Sequence, residues 1–75
     1  MIIILNGNQT YVEESSVITD LIHSLGLKPE RLAVELNKRI IRRAEWGSTT
    51  ISEGDRVEIV NFVGGGAGIV IGDVF

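Results

Sequence analysis

The chain has 75 residues, a net charge of −3, 44% hydrophobic and 23% charged residues, and no cysteine. That composition suits one small globular domain with an efficient core; it excludes a disordered chain, a disulfide framework and a thiolate metal site, and the acidic balance argues against general nucleic-acid binding. "MIIILNG" has no basic region ahead of its short apolar run and no stretch has the length of a bilayer span, so the expectation is a soluble cytoplasmic protein with no membrane or nucleic-acid partner.

The opening β-branched run predicts a strand, with Ile3 and Leu5 on one side and Ile2 and Ile4 on the other. Asn6-Gly7-Asn8 is a hairpin signal, because asparagine and glycine tolerate positive φ, so Gln9 to Glu13 is expected to return antiparallel. The period then changes. Val17, Ile18, Leu21, Ile22 and Leu25 recur at helical spacing. Ser16 is the expected N-cap, Gly26 the left-handed stop, and Pro29 bars continuation. His23 falls on the outer helix face and reads as a solvated residue rather than a base.

Leu32, Val34 and Leu36 alternate with Ala33, Glu35 and Asn37, which predicts a strand. Asn37-Lys38 suggests a turn into a short strand at Arg39 to Ile41. "RAEWGSTTI" is a connection, with Trp46 read as a packed anchor. Ser52 to Asp55 is a turn, and Arg56 to Val63 a final strand with Val57 and Ile59 facing the core. One helix cannot support a doubly wound sheet, but it can cover one face of a mixed one. The order strand, strand, helix, strand, short strand, strand therefore fits an α+β, β-grasp arrangement of four to five strands under a single main helix.

Six of the seven basic residues lie between Lys28 and Arg43. Such a cluster is commonly a solvated edge that discourages aggregation. Its functional reading is a docking patch for an acidic partner, carried by Arg39, Arg42 and Arg43.

The chain closes on "NFVGGGAGIVIGDVF". A phosphate-cradling loop needs glycines ahead of a helix, and the Walker pattern adds a Lys followed by Ser or Thr. Neither follows Gly64, and the dinucleotide spacing fails because Ile69 or Ile71 stands where the last glycine is required. Gly64, Gly65 and Gly66 instead read as a thin tether, free of Cβ atoms, suited to a narrow partner site.

"LNG" at the first hairpin, "VELNKRIIRRAEW" from Val34 to Trp46, "EGDRVEIV" from Glu53 to Val60 and the pair Gly65-Gly66 together resemble the ThiS sulfur carrier family of thiamin biosynthesis. The resemblance runs from Met1 to Gly66. It implies a protein co-substrate rather than an enzyme, with no bound cofactor, no metal and no catalytic residues of its own. A ThiF-type activating enzyme would use MgATP to adenylate the Gly66 carboxylate. Sulfur from a desulfurase pathway would convert it to a thiocarboxylate, and thiazole synthase, ThiG, would receive the sulfur.

One departure bears on that expectation. Members of the family end at the second glycine of the pair, whereas this chain continues from Ala67 to Phe75. The division expected is a carrier domain, 1–66, and an extension, 67–75, removed on maturation. An interaction module with an uncleaved tail is the alternative from another class, and a carrier serving another recipient, such as molybdopterin, an amino acid or tRNA, is a third. The aliphatic residues of the tail favour strand geometry. It is expected to add to a sheet edge, on its own domain or on a second copy, the latter giving self-association.

Overall fold

The computed structural model describes residues 1–63 and 70–73. The elements are β1 (Ile2–Leu5), β2 (Asn8–Tyr11), α1 (Ile18–Ser24), a 3-10 turn at Pro29–Arg31, β3 (Leu32–Leu36), β4 (Arg39–Ile41), a 3-10 segment at Arg43–Ser48, β5 (Arg56–Val63) and β6 (Val70–Asp73). Five strands lie in the order β2-β1-β5-β3-β4, and β6 pairs with β5 outside that path. β1 and β5 are parallel at the centre, and the other pairs are antiparallel.

Alternation along each strand sends one set of side chains under α1. Ile3, Leu5, Val34, Val57 and Ile59 from the sheet meet Ile18, Leu21 and Ile22 from the helix, all buried. Leu25 and Leu36 are half-buried at the margin of this core. Trp46 anchors the 3-10 segment as expected: it is 4% exposed and its Nε1 donates to the Ile41 carbonyl at 2.9 Å. Met1, Val12, Leu32 and Ile51 complete the core.

Helix α1 begins one residue later than the sequence suggests. Val17 is the N-cap residue, and its backbone N–H donates to Asp20 Oδ2 at 2.9 Å. The Ser16 hydroxyl is diverted to the Glu13 carbonyl at 2.7 Å, so a local turn bond displaces the expected cap. At the other end Gly26, at φ 68, closes a Schellman motif: its N–H donates to the His23 carbonyl, and that of Leu27 to the Ile22 carbonyl.

The two hairpins share one design. Leu5↔Asn8 and Leu36↔Arg39 are the last pairs before two-residue turns. Asn6 and Gly7 have φ of 47 and 84, Asn37 and Lys38 of 52 and 70. Positive φ at both central positions is the type I′ geometry whose twist matches the strands. In each turn the leading asparagine turns its side-chain amide onto β5. Asn6 Nδ2 donates to the Ile59 carbonyl at 3.0 Å, and Ile59 N–H donates to Asn6 Oδ1 at 2.8 Å. On the opposite edge Arg56 N–H donates to Asn37 Oδ1 at 2.9 Å, and Asn37 N–H to the Arg56 carbonyl at 2.7 Å.

Candidate functional site

The candidate site is the end of β5, which leads the chain toward Gly64, Gly65 and Gly66. Those glycines lie outside the described residues, as do Ala67 to Ile69, Val74 and Phe75. What the structure does establish is how firmly the approach to them is held. On one edge, Ile4↔Arg56 and Leu5↔Val57 pair with β1, Asn6 N–H donates to the Val57 carbonyl at 2.9 Å, and the Asn6 amide then covers Ile59. On the other edge, β3 pairs continuously from Leu36↔Val57 to Leu32↔Asn61. Val57 and Ile59 are fully buried beneath.

Past Ile59, β6 takes over the edge that β1 leaves. Its register is Val60↔Asp73, Asn61↔Gly72, Phe62↔Ile71 and Val63↔Val70. Val70–Asp73 therefore adds to a sheet edge of its own domain, one of the two arrangements expected for the tail.

Arg39, Arg42 and Arg43 are all exposed. β4 runs in the same direction as β5, because each is antiparallel to β3. Arg39 is level with Leu36 and Val57, at the start of β5, and Ile41 is level with Val34 and Ile59. Arg42 and Arg43 thus follow the edge toward the end where β5 delivers the chain, while Arg39 stands about two residues, roughly 7 Å, further back than Ile41. The cluster borders the sheet edge rather than forming one compact patch.

The uncovered sheet face carries features that the sequence reading left aside. Ile40 is 74% exposed, and Ile2 and Tyr11 form an exposed cross-strand pair. Glu35 and Glu58 stand directly opposite each other on β3 and β5. Like charges in that relation oppose pairing. The face alternation of β3 and β4 was the available signal, since it puts Glu35 and Ile40 on the side away from the core.

Among the described residues there is no buried polar or charged side chain, no group of three His, Asp or Glu placed to hold a metal ion, and no helix long and apolar enough to cross a membrane. His23 is exposed on α1, as expected. The described chain offers a held strand end and a patterned surface.

A mixed sheet with a parallel central pair and one covering helix is the ubiquitin-like β-grasp fold. The crystal structure of ThiS from Geobacter metallireducens superposes with a TM-score of 0.79 at 36% identity, over 88% of this chain and all of that one. The ThiS family model matches residues 3–66, and the chain belongs to that family. The Sulfur carrier protein ThiS of Bacillus subtilis is 36% identical over 63 residues, covering 83% of this chain and 96% of that protein. A thiazole synthase of Magnetococcus marinus is 39% identical over 62 residues, and the match spans 83% of this chain but only 19% of the synthase.

Proposed function

We propose that the chain carries sulfur for the thiazole ring of thiamin, as a thiocarboxylate on Gly66, after residues 67–75 have been removed. The observation that supports this most directly is the extent of the family match, which ends at Gly66 itself. The chemistry accounts for the residue types. A carboxylate is a poor electrophile until an activating enzyme of the ThiF type attaches AMP from MgATP, releasing pyrophosphate. A persulfide from the desulfurase pathway then displaces AMP to form an acyl disulfide, and a second thiol cleaves its S–S bond, leaving the thiocarboxylate and a disulfide. Glycine at positions 64–66 removes the Cβ atoms that would obstruct a narrow partner site. The carrier acts as a co-substrate and needs no base, metal or bound cofactor of its own. The similarity to thiazole synthases supports such a synthase as the recipient.

The test compares the chain ending at Gly66 with the chain ending at Phe75, each with MgATP and the activating enzyme. The shorter chain should release pyrophosphate and become adenylated, and the longer should not, since a peptide-bonded Gly66 has no carboxylate. Equal activity with Phe75 retained would remove Gly66 from the role. A second reading draws on β6: a chain that keeps its sixth strand is an interaction module. Intact mass of the protein from its own cells separates the two, through the position of the last residue and the presence of sulfur at Gly66.

A further inference from the structure

The Asn6 side-chain amide acts as a piece of backbone. Ile4 N–H donates to the Asp55 carbonyl and Asn6 N–H to that of Val57, and the amide carries this pairing one step further along β5. Its Nδ2 donates to the Ile59 carbonyl at 3.0 Å, and its Oδ1 accepts from the Ile59 N–H at 2.8 Å. The residue that follows is Gly7, which is exposed at φ 84, with no heavy atom within 4 Å of the place a Cβ would take. An asparagine amide is open to attack by the backbone nitrogen of the next residue, and glycine is the one residue that sets no side chain beside that nitrogen. The other asparagines, Asn8, Asn37 and Asn61, precede Gln9, Lys38 and Phe62.

We propose that Asn6 is a modification site, deamidated spontaneously through Gly7, and that its deamidation releases the hold of the first hairpin on β5. The deprotonated Gly7 nitrogen attacks Asn6 Cγ. The new C–N bond closes a cyclic imide, the bond from Cγ to Nδ2 breaks, and the nitrogen leaves as ammonia. One water then opens the imide at either carbonyl, giving aspartate or isoaspartate; no oxidant, reductant or cofactor enters. Neither product can hold Ile59 as the amide does. In aspartate the donor is gone, and a carboxylate oxygen stands where Nδ2 met the Ile59 carbonyl, acceptor against acceptor. In isoaspartate the chain runs through the former side chain, and the carboxylate left on Cα is one carbon shorter. The fold also governs the rate. The amide must leave Ile59 before Cγ can turn to the Gly7 nitrogen, so local opening of the turn precedes the reaction. The hairpin thus delays its own modification, and once modified it no longer restrains the strand that leads to Gly64. The inference stands whether or not Gly66 carries sulfur.

The test ages the full chain in mildly alkaline buffer, with one sample unfolded in guanidinium chloride and the native one in sodium chloride at the same concentration. Peptide mass spectrometry then locates the mass gain of an amide-to-acid change. Asn6 should be modified ahead of Asn8, Asn37 and Asn61 in both samples. Its rate should be at least about tenfold higher in the unfolded one, as expected when two hydrogen bonds no longer hold the amide. The aged native chain, separated from the unmodified chain by anion exchange through its added negative charge, should have a lower urea midpoint. Asn6→Asp, which reproduces one product, should show the same fall, equivalent to about a tenfold smaller folding constant. Equal rates in the two samples would overturn the proposal, as would earlier modification of any other asparagine. An unchanged midpoint in the aged chain and in Asn6→Asp would overturn it too, by showing that the acid holds Ile59 as well as the amide.

Discussion

Replacing Asn6 by alanine tests whether the hairpin turn holds β5. The substitution removes two hydrogen bonds to Ile59, of 2.8 and 3.0 Å, and leaves alanine at φ 47. Two bonds at the usual net value are worth about 1–3 kcal/mol together. The left-handed backbone adds about 1 kcal/mol for a residue whose side chain cannot bond locally. The expected loss is therefore about 2–4 kcal/mol, out of about 4–11 kcal/mol for a domain of this size. Urea denaturation followed by circular dichroism reads it as a shift in midpoint at constant slope. Asn6→Gly separates the terms, because it loses the same bonds without the backbone strain. It should fall less than alanine does, though glycine's freedom in the unfolded chain narrows the gap. A loss below about 0.5 kcal/mol for Asn6→Ala, the range of ordinary surface changes, would show that water replaces the amide at no cost and that the clamp is incidental.

Lys38 has φ 70 without a glycine's freedom, so Lys38→Gly should raise the melting midpoint by the equivalent of about 0.5 kcal/mol, strain relief exceeding the entropy cost; a lower midpoint would refute this. Glu58→Lys turns the Glu35–Glu58 opposition into an attractive pair and should stabilise by about 0.2–1 kcal/mol in low-salt denaturation, with the gain shrinking as salt is added. No gain at low salt would show that solvent already screens the pair. Reversing Arg39, Arg42 and Arg43 to glutamate should slow association with a ThiF-type enzyme in stopped-flow measurements, more at low salt than at high. An unchanged rate and salt dependence would leave the cluster as a solvated edge.

Much of the framework is legible in the residues because it depends on local rules. Gly7 and Asn37 announce the hairpins, Gly26 the helix end, and the alternation of Leu32, Val34 and Leu36 the strand, so β3, β4 and β5 fall where their patterns place them. Errors arise where two local bonds compete. Ser16 is an acceptable cap by type, but Glu13 lies three residues before it and takes its hydroxyl. Val12 and Ile51 are buried yet isolated in the chain, with no period to reveal them. The tail reads as a strand from its β-branched residues. Its partner edge does not, because that edge is defined by where the Asn6 amide stops.

The two Leu-Asn turns make β5 the best-held strand of the sheet by an unusual division of labour. Apolar side chains at Val57 and Ile59 fix its depth in the core. They also oppose sliding along the strand axis, since a two-residue shift would bring Asp55 or Asn61 to a buried position. The amides of Asn6 and Asn37 add a second restraint on that coordinate from opposite edges, at Ile59 and Arg56. Asn37 is itself held by Asp55, which accepts from its Nδ2 at 3.1 Å and from the Ser52 N–H at 2.7 Å, so the turn before β5 is tied into the same set. A slip of two residues would break both clamps. It would also move the end of β5, and with it the point from which the chain leaves for Gly66, by about 7 Å. For the proposed role of Gly66 that coordinate matters, and two asparagines at hairpin turns help to set it.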